Sequence, residues 1–147
     1  MEIEDLETRL EQVAKRARKL ENFSHRSGVT VEGEPDAAVA LIGFGSTWGV
    51  LQEAREVLAR EGIAVKHIHF SRLSPFPVHD FHLAMDGVQQ ALVVELNSSG
   101  QLSMLIQQQA GYHNRLENCL KYDGDPISLK EILARARAVF PRVGVLN

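Results

Sequence analysis

Ala37-Ala38-Val39-Ala40-Leu41-Ile42-Gly43-Phe44-Gly45-Ser46 reads as a strand running into a turn. From Ala37 to Phe44 no side chain is polar or charged, as expected of a strand buried on both faces within a parallel sheet. Gly45 and Ser46 break the run, and Val50, Leu51, Ala54, Val57 and Leu58 then follow at helical spacing until Gly62 supplies a C-terminal stop. A strand of this kind needs parallel neighbours beside it and helices on both of its faces.

Those neighbours are visible downstream. Ile63 to Phe70 forms a strand with polar interruptions, and Pro77 fits the first turn of a short helix ending near Gly87. Ala91 to Leu96 is another apolar strand, Leu102, Leu105 and Ile106 mark a helix closed by Gly111, and Asn118 to Tyr122 is a short last strand. Ser128 and Glu131 have capping-box spacing for a final helix, with Ile127 and Ile132 placed to staple its first turn, and Pro141 stops it. Upstream, Gly28 to Gly33 alternates apolar with polar, as an exposed edge strand does. Strands alternating with helices at this spacing predict a mainly parallel α/β sheet covered on both faces by right-handed crossovers.

Before this domain, Ile3, Leu6, Leu10, Val13, Ala17 and Leu20 recur at alternating steps of three and four, one stripe along a helix. Docking of that stripe on the body of the domain is the expectation, with docking on a partner as the alternative. The basic run Lys15, Arg16, Arg18 and Lys19 is offset by acidic residues and reads as a solvated face. The expected division is a helix and linker over 1–27 and an α/β domain over 28–147.

Composition narrows the function classes. The chain has 147 residues, 44% of them hydrophobic, enough for one core. A net charge of -3 supplies no field for a phosphate backbone, so nucleic acid is not an expected partner. The single cysteine, Cys119, rules out an internal disulfide and an iron–sulfur cluster held by this chain alone. No apolar stretch approaches the length a bilayer requires, and a cytoplasmic protein without a membrane partner is expected.

In such sheets ligands sit at the carboxyl ends of strands, above all where the winding reverses. Gly43 to Gly49 resembles half a dinucleotide fingerprint, but with the wrong glycine spacing, and a tight turn with Ser46 as helix N-cap is the favoured account of it. Ser98 and Ser99 before Gly100 form a second anion-compatible helix start, again open to a capping explanation. Glu95 ends an apolar strand, so it is either buried and hydrogen-bonded or set at the mouth of a crevice, with Asn97 and Gln101 flanking it. His79 and His82 share a helix face without a third ligand, and His67 and His69 share a strand face as partly buried or solvated imidazoles. The sequence designates no catalytic residue and no metal ligand.

Taken in order, Gly45-Ser46-Thr47, Leu73-Ser74-Pro75-Phe76-Pro77, Glu95-Leu96-Asn97-Ser98-Ser99-Gly100-Gln101-Leu102 and Lys121-Tyr122-Asp123-Gly124-Asp125-Pro126 resemble the C-terminal domain of the alpha subunit of 2-oxoacid:ferredoxin oxidoreductases. The likeness spans 37–140. It implies a three-layer α/β/α sandwich like the transketolase C-terminal domain, its mostly parallel five-stranded sheet ordered 1-3-2-4-5 with an antiparallel first edge strand. It also implies that Gly45, Ser46, Thr47, Glu95, Asn97, Ser98, Gly100 and Gln101 share one crevice.

Enzymes of that family oxidatively decarboxylate a 2-oxoacid with thiamine diphosphate, pass electrons through iron–sulfur clusters to ferredoxin, and release an acyl-coenzyme A. This chain lacks the Gly-Asp-Gly and downstream Asn-Asn that hold magnesium and diphosphate, and Asp123-Gly124-Asp125 is not that motif. The resemblance therefore implies a component of the enzyme, inactive alone, with architectural and subunit-interface roles beside a cofactor-bearing beta subunit. Thiamine diphosphate, magnesium and the clusters are expected in the rest of the complex. The other readings are a stand-alone phosphate- or nucleotide-binding module, with anions at the Ser46 and Ser98 helix starts, and a pure protein-interaction domain.

Overall fold

The computed structural model describes residues 6–23 and 27–140. Its elements, in chain order, are α1 (Leu6–Phe23), β1 (Val29–Gly33), β2 (Val39–Phe44), α2 (Trp48–Arg60), β3 (Val65–Phe70), α3 (Val78–Ala84), β4 (Gln90–Glu95), α4 (Gln101–Ala110), β5 (Leu116–Leu120) and α5 (Leu129–Val139). The strands form one sheet in the order β1-β3-β2-β4-β5. β1 is antiparallel to β3 and every other pairing is parallel. This is the expected three-layer arrangement with its antiparallel first edge.

Alternation along the inner strands builds two cores. Val39 and Leu41 of β2, with Leu92 and Val94 of β4, face α2 and α5, meeting Leu51, Leu58, Ile132 and Ala136. Ala40 and Ile42, with Ala91 and Val93, face the other way onto Phe81 of α3 and Leu102 and Ile106 of α4. Each buried Leu, Ile or Phe contributes roughly 1.5–3 kcal/mol by leaving water, so the sheet is held from both sides. At the edge, β1 buries only Val29 and leaves even Val31, in phase with it, 43% exposed.

Ser128 accepts from the Glu131 amide, and the Glu131 carboxylate accepts in return from the Ser128 amide at 2.8 Å, so the predicted capping box starts α5. The last strand is Leu116–Leu120 rather than Asn118 to Tyr122. Its register against β4, from Ala91 opposite Leu116 to Glu95 opposite Leu120, ends it earlier and leaves Tyr122 in the following loop, 70% exposed. An edge strand tolerates polar residues such as Glu117, and for that reason its start was not marked by an apolar run.

α1 also departs from expectation. Its stripe is not buried along the described side chains: residues 8–19 and 21 are all exposed, Leu10 by 61% and Val13 by 56%. Ile3 and the Pro141 stop lie outside the described residues. Among the described residues no helix is long and apolar enough to cross a membrane.

Lys66, near the start of β3, is buried, and its Nζ donates to the carbonyls of Ala84 at 3.2 Å and Asp86 at 2.6 Å. A cation here meets the negative end of α3 and its last carbonyls. Lys66→Met would leave both carbonyls without this donor, and we expect a loss of about 2 kcal/mol in urea unfolding.

Candidate functional site

β2 lies between β3 and β4, so the chain winds outward from it in both directions and the segments leaving β2 and β4 diverge to opposite faces. A crevice opens where they part. On the β2 side, Gly45 takes φ +66° and begins a 3-10 turn, Gly45–Thr47, that runs directly into α2. Thr47 fixes the turn: its Oγ1 accepts from the Phe44 amide at 3.3 Å and donates to the Phe44 carbonyl at 3.1 Å. Ser46 is not the helix cap. That position belongs to Thr47, whose hydroxyl is turned back to the strand and makes no capping bond. A Cβ on Gly43 would meet Leu51 Cδ1 at 2.3 Å and Thr47 Oγ1 at 2.7 Å, so the strand end must be glycine for the turn to fold onto it.

On the β4 side the two open possibilities for Glu95 are both realised, because it is buried and it borders the crevice. Glu95 Oε1 accepts from the Leu102 amide and from Asn97 Nδ2 at 2.9 Å, and Oε2 accepts from the Ser103 amide at 3.2 Å. Asn97 Oδ1 collects the preceding amides, from Ser99 at 3.2 Å, Gly100 at 2.8 Å and Gln101 at 3.3 Å. The first-turn donors of α4, which every helix leaves without intrahelical partners, thus end on two side chains from the strand end. The hydroxyls of Ser98 and Ser99, read as capping groups, accept none of these amides. Gly100 holds φ +65°, and a Cβ there would stand 3.0 Å from Asn118 Nδ2.

Between the two loops lies a groove of about 530 Å³. Gly45, Ser46, Thr47, Glu95, Asn97 and Gln101 line it together, while Ser98 and Gly100 lie outside its lining. Leu73, from the loop after β3, and Leu96, Leu102 and Leu105 complete it with Phe44 and Val94. Its walls are mostly apolar. At its rim Phe44 and Leu96 are 50% and 47% exposed, a large apolar surface to leave in water.

The pyruvate:ferredoxin oxidoreductase core domain II family matches residues 37–132. The chain belongs to that family. It is 30% identical over 132 residues to the alpha subunit of 2-oxoacid:ferredoxin oxidoreductase 2 from Aeropyrum pernix, an alignment covering 85% of this chain and 20% of that one. It is 31% identical to the corresponding alpha subunit of Saccharolobus solfataricus over 90% of this chain and 22% of that one. This core domain II thus spans about a fifth of the length of the curated relatives it matches. Its fold is similar to 2-oxoglutarate:ferredoxin oxidoreductase from Magnetococcus marinus, solved with 2-oxoglutarate, coenzyme A and succinyl-CoA bound. The TM-score is 0.76 at 27% identity, over 93% of this chain and 24% of that chain. A split-gene transketolase shares the fold at a TM-score of 0.62 and 16% identity, over 77% of this chain and 41% of that one.

Behind the Gly45 turn, core domain II carries a polar cluster on β3. His67 and His69, read as partly buried or solvated imidazoles, are both buried. His67 Nδ1 faces Gln52 Oε1 at 3.0 Å, His67 Nε2 faces His69 Nδ1 at 3.2 Å, and His69 Nε2 faces the Gly45 carbonyl at 3.2 Å. Trp48 packs on both rings at 4.8 and 5.0 Å. Both ends of this chain are acceptors, since Gln52 Oε1 also accepts from Arg55. Two neutral imidazoles carry two N–H groups for three contacts, so one contact lacks its proton unless a ring is charged. Burial opposes that charge: it holds His67 down to about 3, helped by His69 and Arg55, and it lowers His69 against the pull of the Gly45 carbonyl. The available signal was the spacing of Trp48 and Gln52, one turn apart on α2 above the alternating histidines.

The remaining candidates are committed elsewhere. His82 Nδ1 pairs with the Tyr112 hydroxyl at 2.7 Å. Among the described residues no three His, Cys, Asp or Glu side chains are grouped as metal ligands. Lys121 bridges Asp123 at 2.8 Å and Glu131 at 2.7 Å. The Lys121 hydrogen bond, with those from Ser128, brings Glu131 down to about 2. Asp123 of the Tyr122 loop is thus tied through Lys121 to Glu131 at the start of α5, away from the groove.

Proposed function

We propose that this chain is part of the alpha subunit of a 2-oxoacid:ferredoxin oxidoreductase, which oxidatively decarboxylates a 2-oxoacid to an acyl-coenzyme A and passes the electrons to ferredoxin. Its contribution is architectural: the sheet edge carrying Gly45, Ser46, Thr47, Glu95, Asn97 and Gln101 seats the remainder of that subunit and the beta subunit. The observation that carries this role is the chemistry of the groove in a fold of this family. The rim of Phe44 and Leu96 suits an apolar polypeptide surface. The amides of α4, the part best suited to a phosphate, are occupied by Asn97 and by the Glu95 carboxylate, which repels a second anion.

The same observation bears on the cofactors. A thiamine diphosphate site needs magnesium ligands beside its donors, and the one carboxylate lining the groove, Glu95, is already held by three N–H groups, so this portion does not fit the group. Cys119, the single cysteine, supplies one thiolate where a cluster takes four. Thiamine diphosphate, magnesium and the iron–sulfur clusters accordingly belong to the rest of the complex. The stand-alone anion-binding reading loses its basis at the α4 start for the same reason. Titration calorimetry of thiamine diphosphate with magnesium into the purified chain is expected to show no binding at micromolar concentrations. Micromolar binding would overturn the division of labour.

A further inference from the structure

The His67–His69 cluster ends on the groove. Its last link is the Gly45 carbonyl, 3.2 Å from His69 Nε2, and Gly45 lines the groove. Two neutral rings can place their N–H groups along the three contacts in three ways that leave one contact bare, and the choice decides what holds that carbonyl. A deficit at Gly45 would set the carbonyl oxygen against a bare ring nitrogen. The turn has no freedom to relieve this, because the same carbonyl accepts from the Trp48 amide and Thr47 Oγ1 bonds both the amide and the carbonyl of Phe44. A deficit in the middle would set two bare nitrogens 3.2 Å apart in the interior, and buried acceptors without donors are costly. Gln52 is the member that can give way. It is half-buried, and a half-turn of its amide presents Nε2 to His67 Nδ1 at the expense of the bond from Arg55. The Arg55 side chain is 20% exposed, so water can replace that bond.

We propose that both rings carry their proton on Nε2, so that one directed chain of hydrogen bonds runs from the Gln52 amide through His67 and His69 to the Gly45 carbonyl, and that the two histidines are thereby positioning residues of the groove. His69 pins the carbonyl inward, and His67 fixes the tautomer of His69. Trp48 packs over both rings and follows directly on the Gly45–Thr47 turn that they hold. Phe44 and Ser46 are left exposed at the groove. The chain requires neutral rings, and burial favours the neutral form of both. This inference concerns the wall of the groove and does not depend on what the groove seats.

Long-range nitrogen–proton correlation spectra of the isotope-labelled chain, recorded above about pH 7.5, show which nitrogen of each ring carries the proton. Nε2 is expected on both. A proton on Nδ1 of either ring, or on both nitrogens of one ring, would overturn the proposal. The positioning role is read from hydrogen exchange at the Trp48 amide, measured against the amides of β4. Exchange should quicken about tenfold in His69→Leu, which keeps apolar bulk but has no donor. His69→Gln, whose amide nitrogen reaches the place of the ring Nε2, should exchange as the parent does. Unchanged exchange in His69→Leu, or equal quickening in both variants, would mean that the N–H does not hold the turn, and the positioning role would fall.

Discussion

Glu95→Ala is expected to cost about 3–4 kcal/mol of unfolding free energy, the largest loss from any single side chain of the groove. The substitution strips acceptors from the amides of Leu102 and Ser103 and from Asn97 Nδ2, all held by one buried carboxylate. Each buried donor left without a partner costs roughly 1–3 kcal/mol, and the charge that complements the α4 dipole goes as well. Asn97 then loses its anchor, and its own hold on the amides of Ser99, Gly100 and Gln101 loosens. Glu95→Gln should cost about half as much, since its carbonyl oxygen still accepts while its amide nitrogen confronts a donor. Urea unfolding gives the magnitudes, and hydrogen exchange at Leu102 and Ser103 gives the location. A loss below about 1 kcal/mol for the alanine variant would mean that Glu95 does not hold the helix start.

Acid should destabilise the fold through the buried histidines. The unfolded chain takes up a proton at His67 near pH 6.5, whereas the folded chain resists it to about 3. Between those values the unfolded state binds more protons, so stability is full above pH 6.5 and declines as pH falls toward 3. The slope from this one group reaches up to about 1.4 kcal/mol per pH unit. His69, lowered by burial, adds in the same direction. Ordinary carboxylates titrate mostly below pH 5, so the interval from 6.5 to 5 isolates the imidazoles. His67→Phe should flatten the stability curve there, and chemical denaturation at closely spaced pH values is the measurement. A wild-type curve already flat from pH 6.5 to 5 would show that the pair is charged or solvated in the native state.

What the sequence disclosed follows from physics that is local along the chain. The Ala37 to Phe44 run, the glycine at 45 and the Ser128/Glu131 box each act within a few residues, and each appears in the structure, the strand two residues shorter at its start, from Val39. The strand order and the antiparallel first strand came instead from the resemblance, since spacing alone does not order strands. Gathering Ser46, Glu95, Asn97 and Gln101 at one edge rested on that order. What remained hidden depended on who faces whom across the sheet. Whether a strand-end carboxylate meets solvent or a helix start is decided by the path of the next loop, so Glu95, rather than Ser98 or Ser99, proved to organise α4. The burial of His67 and His69 depends on Trp48 arriving from α2. The stripe on α1 was legible, but a stripe declares an apolar face without naming the surface that covers it.

The most direct test of the central claim is reconstitution. This chain would be mixed with the remaining alpha-subunit portion and the beta subunit of the proposed oxidoreductase, and electron transfer to ferredoxin followed with a 2-oxoacid and coenzyme A present. Activity is expected only in the complete mixture, and Phe44→Asp with Leu96→Asp at the groove rim should abolish assembly while leaving the chain folded. Turnover by the purified chain alone, or full activity of the other polypeptides without it, would contradict the account.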